Sequence, residues 1–451
     1  MEPLRSDETV AHASGDATLE SRVCEIERLS LHRLLDAADA PRIAWSTPDG
    51  PTIVAFGAAD VLTAEGTARF DDIRSQAETL FARSSNATSL PEAARPRLFG
   101  GFSFNEGPTT DEHSAWAGFP DAQFILPRVQ VSQTAEKTYL TVTLAGPGAT
   151  PEAANALLEQ ERESLANLPT EPPTAAKPGV ASLELTTPRE TWTEQVEAAL
   201  ARIERGELTK VVLAQALTAT LEDDLSVPGA LTRLAEAYPD CHRFLVAPDE
   251  HGTFFGATPE GLVSLRGRTV STVALAGSTG RGETPEEDEW LGAELLASEK
   301  DRHEHDVVAE TIREQLCPFA SSVSLGERGL RRLATVQHLQ TPITAELKRD
   351  EHVLSLVEAL HPTPAVGGLP PERAKRTIRE TETFDRGWYA APVGWFDAAG
   401  NGSFVVAIRS AIARGDEATL FAGAGIVADS DPDGEWDEIQ LKYRPMLDEL
   451  E

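Results

Sequence analysis

Strand-like runs recur along most of this chain, and none of them is long. Arg42 to Trp45, Thr52 to Phe56, Leu98 to Phe104, Gln123 to Val131, Lys137 to Leu144, Thr209 to Thr220, Leu262 to Leu265, Phe404 to Ile412 and Thr419 to Phe421 are wholly apolar or alternate apolar with polar residues. Each run carries backbone donors and acceptors that a neighbouring strand must satisfy, so these segments have to pair. Segments of helical period lie between them. Trp192, Val196, Ala199, Leu200 and Ile203 fall on one helical face, and Ala230 to Tyr238 and Leu291 to Leu316 are helix-like. There is no fixed-period repeat. No stretch of about 18 apolar residues exists, so nothing reads as a membrane span.

By length alone, 451 residues suggest about three domains, a loose guide for large α+β folds. Residues 1–20 are expected to be disordered, and Met1 to Asp16 has no apolar h-region of the kind a signal peptide needs. Residues 21–166 read as an N-terminal α+β part. Its turn Thr47-Pro48-Asp49-Gly50-Pro51 closes a hairpin, and the glycines within Leu98 to Phe104 allow close backbone approach. Residues 167–187 read as an exposed linker, because Asn167 to Ser182 holds four prolines among Thr and Ala residues. Residues 188–451 form the remaining region. Its first helix is expected to open near Thr191, with Glu194 three residues on as in a capping box, and to stop at Gly206.

Net charge is −33, from 73 acidic and 40 basic residues. Such a surface repels nucleic acid and anionic lipid, which excludes both as partners. The acidic residues are spread over periodic, apolar-containing segments rather than run in blocks, unlike an acidic disordered tail. Concentrated salt screens this self-repulsion over a few ångströms, and the composition reads as an adaptation to high salt. Cys24, Cys241 and Cys317 are widely spaced and odd in number. They make neither a disulfide framework nor a zinc pattern, and they fit a reducing cytoplasm.

Among so many carboxylates, a single Glu is most simply a solvated surface group, so each candidate has to be weighed against that. Lys210 stands in Leu208-Thr209-Lys210-Val211-Val212-Leu213-Ala214, one of seven lysines in the chain. Desolvation within an apolar strand favours a neutral amine that can act as a base; the alternative is an edge-strand lysine pointing at water. Glu260 follows Pro259 in the turn Gly256 to Leu262, where a carboxyl held against apolar neighbours would keep its proton and serve as an acid. In Ser298 to Asp306, His303 and His305 are two apart and point to different helix faces, which argues against zinc. Glu304 in that segment could face inward as a hard oxygen ligand suited to Mg²⁺, or belong to a solvated face. Glu435 and Glu438 are i, i+3, so both could meet one cation; an acidic helix start would also place them there. Gly423-Ala424-Gly425-Ile426-Val427-Ala428 matches the spacing of a dinucleotide loop, but Ser430 to Gly434 stands where the helix must begin, so that reading fails. What remains is a glycine-lined strand end whose amides could receive a carboxylate. Arg409, in Val405 to Ala411, needs an anion; with Lys442 it suggests a pocket for a small di-acid, and a structural ion pair is the alternative.

Taken in order, these segments resemble one family. The matching stretches are Lys210 to Ala214, Gly256 to Glu260, Leu275-Ala276-Gly277-Ser278, Ser298 to His305, His361-Pro362-Thr363-Pro364-Ala365-Val366, Phe384-Asp385-Arg386, Val393-Gly394-Trp395, Phe421 to Val427, and Gly434-Glu435-Trp436 with Glu438 and Lys442. From about Leu98 onward the chain resembles the chorismate-utilising enzymes, which include isochorismate, salicylate, anthranilate and aminodeoxychorismate synthases. The resemblance implies an α+β fold: one large chorismate-binding unit with two stacked, mainly antiparallel β-sheets and helices outside. Lys210 resembles the water-using members, where ammonia-using ones typically carry Gln. Ala365 is similar to isochorismate synthases, where salicylate and anthranilate synthases tend to carry Thr. The implied reaction is Mg²⁺-dependent isomerisation of chorismate to isochorismate, cytoplasmic, feeding menaquinone synthesis, without a glutaminase subunit. Lys210 would be the base for water attack at C2 and Glu260 the acid for the departing C4 hydroxyl. Glu304 and Glu438 would hold Mg²⁺ with Glu435 close by. Ala365, Tyr389, Arg409, Lys442 and the Gly423-Ala424-Gly425 backbone would orient the substrate. Left open at this point are a salicylate synthase, service to a siderophore pathway, and an inactive chorismate-binding protein.

Overall fold

The structure is a computed structural model that describes residues 18–84, 87–107, 114–168, 176–249, 252–333 and 336–451. Among these residues there are twenty strands and ten α-helices. The N-terminal part supplies β1 (Thr18–Ile26), α1 (Leu31–Asp36), β2 (Arg42–Ser46), β3 (Thr52–Ala64), α2 (Arg69–Phe81), β4 (Arg97–Phe102), β5 (Ala122–Gln133), β6 (Thr138–Gly146) and α3 (Pro151–Ala166). There follow β7 (Val180–Leu185), α4 (Arg189–Glu204), β8 (Lys210–Leu221), α5 (Val227–Ala237), β9 (His242–Ala247), β10 (Thr253–Thr258), β11 (Gly261–Arg266) and β12 (Thr269–Gly280). Next come α6 (Pro285–Ala297), α7 (Glu299–Leu316), β13 (Ala320–Leu325), β14 (Gly329–Arg332), β15 (Val336–Leu347), α8 (Val353–Leu360), β16 (Gly368–Leu369) and α9 (Pro371–Thr381). The chain closes with β17 (Pro392–Asp397), β18 (Gly402–Val406), β19 (Ser410–Arg414), β20 (Glu417–Ile426) and α10 (Pro432–Leu447).

The strands pair antiparallel in one hydrogen-bonded network that divides at β5. Residues 122–125 of β5 pair with β4 and residues 129–133 with β6, while β3 spans both along the opposite edge. One branch runs β1-β6-β5-β3-β2-β9-β10-β19-β20-β8, with β7 and β16 on the far edge of β8. The other runs β5-β4-β17-β18-β11-β12-β15, with β13 and β14 on the far edge of β15. The two stacked antiparallel layers expected from the sequence are these branches. Rings pack between them: Tyr389, just ahead of β17, stacks on Phe421 of β20 with centroids 5.2 Å apart. The helices lie outside, with α10 and α4 against β20 and β8, and α7 against β12 and β15.

Of the places where the chain crosses from branch to branch between β10 and β19, two are bonded to each other. The first is Pro259-Glu260, between β10 and β11. The second is Ala407-Ile408-Arg409, between β18 and β19. Thr258 Oγ1 donates to Val406 O at 2.7 Å, Val406 N to Glu260 O at 3.0 Å, and Ala257 N to Arg409 O at 3.1 Å. Gly256 permits this approach, since a Cβ there would lie 2.6 Å from Arg409 O.

Several boundaries differ from the sequence reading. Thr18, Leu19 and Glu20 belong to β1, whose register on β6 begins at Thr18↔Gly146, so these three residues of the expected tail 1–20 are strand; residues 1–17 lie outside the described residues. Within the expected linker 167–187, residues 169–175 also lie outside them. Val180–Leu185 is β7, which takes the free edge of β8 despite its exposure. The first helix of the C-terminal region starts at Arg189 behind Pro188 with no side-chain cap, so Thr191 sits inside it. Proline's fixed φ suits a helix start without the capping box. The run Leu291 to Leu316 is two helices, because Ser298 ends α6 and its hydroxyl caps α7 through Asp301 N. The run Phe404 to Ile412 is likewise broken, at Arg409, where φ is +53°.

Candidate active site

A cavity of about 300 Å³ lies between the branches where β8, β20 and β12 come together with α7 and α10. It is lined by Lys210, Glu260, Glu304, Ala365, Tyr389, Arg409, Gly423, Gly425, Glu438 and Lys442, so ten of the residues singled out in the sequence share one space. Ala424 and Glu435 are not among them. Along a strand successive side chains alternate, and Ala424, fully buried, points into the core on the other face.

The glycines do two jobs here. Val212 N donates to Gly367 O and Ala214 N to the Glu382 carboxylate, so neither bonds across to β20. Their register partners Gly425 and Gly423 therefore sit in non-hydrogen-bonded pairs and turn their amides away from β8. Lys442 Nζ occupies that open edge, donating to Gly423 O at 2.7 Å. Gly425 also makes room: a Cβ there would lie 2.9 Å from Lys210 Cε.

Lys210, the first residue of β8, points into the cavity and donates to Glu304 Oε1 at 2.7 Å. Of the two readings open from the sequence, an edge lysine in water is thus excluded. Glu304 reaches it from α7, whose other face buries His305, Val308, Ala309, Ile312 and Leu316. His305 is fully buried and tied to Ala276 O and Thr341 Oγ1 at 3.2 and 2.7 Å, which gives it a structural place away from any metal.

Glu260 is buried at the first crossing, and burial pushes its carboxyl up to about 7. Thr363 Oγ1 donates to its Oε1 at 3.2 Å. Arg409 stands at the second crossing, half-buried, and its guanidinium forms no salt bridge among the described residues; burial lowers its pKa. The alternative of a structural ion pair therefore falls. The cation lines the cavity, where it is open to an anionic partner. Tyr389 is buried against Phe421, with its hydroxyl toward Gly423 and its pKa pushed up to about 12 by burial.

On α10, Glu438 and Lys442 form an i, i+4 pair at 2.5 Å. Burial lowers the Lys442 pKa against the opposing pull of Glu438. Burial would raise the Glu438 carboxyl, but Lys442 overrides it and the net direction is down. Glu435, one turn earlier, has its pKa raised by burial, and its Oε2 is buried with no hydrogen-bond partner. Among the described residues no three His, Cys, Asp or Glu side chains converge closely enough to hold a metal. Glu304 and Glu438 are each turned to a lysine. Even so, the orphaned Glu435 oxygen and a donor set made of carboxylate oxygens alone suit a hard cation such as Mg²⁺.

Sequence reasoning missed three groups. Thr363 lies inside a quoted motif, yet nothing local shows that its hydroxyl meets Glu260. His338 of β15 lines the cavity and pairs with Ser278 Oγ at 2.7 Å; burial pushes its pKa down to about 4. Arg386 and Glu382 form a buried pair, in which Arg386 also donates to Val366 O and Val212 O and lies 4.3 Å over the Phe104 ring. That pair fixes the wall that carries Ala365 and β8.

Comparison with known proteins gives consistent matches over nearly the whole chain. The family model described as chorismate binding enzyme matches residues 7–451. The chain is 37% identical over 420 residues to isochorismate synthase MenF of Bacillus subtilis, covering 91% of this chain and 88% of that one. It is 38% identical over 434 residues to the salicylate biosynthesis isochorismate synthase of Pseudomonas aeruginosa, covering 94% and 88%. Among solved structures, the menaquinone-specific isochorismate synthase of Escherichia coli superposes with a TM-score of 0.81 at 26% identity, covering 96% of each chain.

Proposed function

This chain belongs to the chorismate binding enzymes, and from that membership we propose that it isomerises chorismate to isochorismate. The observation that carries the reading is one cavity holding Lys210, the buried acid Glu260 and the unpaired cation Arg409 together. A water at C2 of the ring loses its proton to Lys210 as the C2–O bond forms. The two ring double bonds each shift one place, and the C4–O bond breaks as Glu260 gives its proton to the leaving oxygen, which departs as water. Arg409, Lys442, Tyr389 and the outward amides of Gly423 and Gly425 hold the substrate carboxylates and fix the ring between base and acid. Ala365 supports this product over an elimination, because its small side chain leaves the pocket shaped for water.

Glu304 and Glu438, with Glu435 beside them, are the residues that would hold Mg²⁺. When bound, the ion supplies positive charge to the ring carboxylate. The menaquinone reading rests on the similarity to the menaquinone-specific isochorismate synthase of Escherichia coli, and the Pseudomonas aeruginosa relative marks salicylate synthesis as the other use of the same product. The acidic surface suits a salt-rich cytoplasm. Among the described residues, no helix is long and apolar enough to cross a membrane.

The test is to incubate the full chain with chorismate and Mg²⁺ in high-salt buffer and separate the products by chromatography. Equilibration of chorismate with isochorismate from either side, abolished by a chelator, is expected. Salicylate with pyruvate would move the enzyme to the eliminating branch, and no product from folded protein would leave only a binding role.

A further inference from the structure

Among the described residues the Glu260 carboxyl meets one hydroxyl, and that hydroxyl is held rigidly. Thr363 is buried in the turn after α8, where its carbonyl accepts from both Val366 N at 3.1 Å and Gly367 N at 2.9 Å. Its Oγ1 donates to Glu260 Oε1. Behind the carboxyl lies a second cavity of about 10 Å³, room for no more than one water. The polar side chains lining it are Glu260, Thr272 and Thr363. Thr272 spends its hydroxyl proton on Leu262 O at 2.6 Å, which leaves Thr363 as the donor to the acid.

A carboxyl oxygen that accepts from a fixed donor is a poor place for the acid's own proton, because two donors would then face each other. We propose that Thr363 is a positioning residue that keeps the Glu260 proton on Oε2, the oxygen left to meet the departing C4 hydroxyl. The inference rests on Glu260 being the general acid of the proposed reaction. It adds the residue that decides which oxygen of that acid is armed. The other groups acting on Glu260 are Lys210 from β8, Arg409 from the second crossing, Arg331 from β14 and the Tyr389 phenol. None of them is altered by a change at Thr363.

The experiment compares Thr363→Val, which keeps shape and removes the donor, with Thr363→Ser, which restores it. For each full-length variant, kcat and KM for chorismate are measured across pH, with the thermal midpoint alongside. Thr363→Val is expected to lose kcat by about tenfold to hundredfold with KM changed less than about threefold. Its alkaline limb should move to higher pH, because the hydroxyl that steadies the ionised carboxylate is gone. Thr363→Ser should recover both. Wild-type kcat in Thr363→Val, or a loss with an unmoved limb that Ser does not rescue, overturns the positioning role. If Thr363→Val does not fold, a Ser variant with an altered limb overturns it, and a wild-type profile supports the hydroxyl. Turnover retained by Glu260→Gln would instead remove the acid itself, and with it the reading on which this inference stands.

Discussion

Gly425→Ala separates catalysis from folding at one atom. The new Cβ would sit 2.9 Å from Lys210 Cε and 3.4 Å from Nζ, while carbon atoms in contact prefer about 3.5–4.0 Å. The lysine side chain must therefore retreat by roughly 0.6–1 Å. The methyl meets no backbone within 4 Å, so only the flexible end of a side chain has to move. An off-rotamer lysine costs about 0.5–1.5 kcal/mol, and weakening the partly exposed Lys210–Glu304 pair adds at most about 1 kcal/mol. A shift of that size in the base, however, is enough for about a hundredfold loss in kcat. Product chromatography over time gives the rate, and calorimetric scanning gives the thermal midpoint, which should fall by only a few degrees. Gly100→Ala is the contrast. Its Cβ would lie 1.8 Å from Gln123 O, a strand carbonyl that cannot retreat, so this variant should lose about 3 kcal/mol or more and fold poorly. Wild-type turnover by Gly425→Ala, or destabilisation as deep as that of Gly100→Ala, would refute the placement of the Lys210 amine against β20.

Three residues of the same site give further expected outcomes. Glu260→Gln should lower kcat by about 10²–10⁴-fold, and wild-type kcat itself should decline as pH rises through about 7, where the acid loses its proton; a flat pH profile would contradict this. The folded carboxyl keeps its proton to higher pH than the unfolded one, so its burial costs nothing below the unfolded pKa and costs up to about 3 kcal/mol above pH 7. Glu260→Gln should then melt higher than wild type at pH 8 and no higher at pH 4. Arg409→Ala removes a cation that forms no salt bridge among the described residues, so it should weaken chorismate binding in calorimetry by about 30- to 100-fold and leave the thermal midpoint unchanged or raised; intact affinity would sink its role. Glu438→Gln should shift the Mg²⁺ titration of activity to higher metal, and an unchanged titration would remove it from the ligand set.

Much of this was legible in the chain, for identifiable reasons. Strands announce themselves by local alternation, so most runs named from the sequence sit inside strands. Site candidates were legible where a polar residue contradicted its surroundings, as Lys210 does in a valine-rich run and Arg409 between Ile408 and Ser410. What local pattern cannot carry is the partner. Glu304 pairs with Lys210 across 94 positions and Thr363 meets Glu260 across 103, and neither residue looks unusual among its neighbours. His338 is hidden for the same reason, since strand alternation alone places it and only the register of β12 on β15 sets Ser278 opposite it. Breaks at single residues were also lost: Ser298 divides a helical period that continues on both sides, and the positive φ at Arg409 interrupts an apolar run that looks continuous.

Several unfavourable features of this molecule lie close together at the site. Arg409 combines a left-handed backbone, which costs a non-glycine residue of order 1 kcal/mol, with a guanidinium lacking a carboxylate. Glu260 is buried at the cost of its ionised form, Glu435 carries an orphaned oxygen, and Lys442 is enclosed so that its pKa falls. Arg386, also buried, is by contrast matched by Glu382. Fold stability alone gives no reason to place so many unmet groups around a single cavity. A ligand with carboxylates for Arg409 and Lys442, a leaving hydroxyl for Glu260 and a cation for the glutamates would relieve all of them together. The strain is held by the two bonded crossings, which keep Glu260 and Arg409 on rigid strand ends while sparing their side chains from the ladder. The sheet that divides at β5 therefore serves the proposed chemistry directly: the chain must pass between branches, and Glu260 and Arg409 stand where it passes.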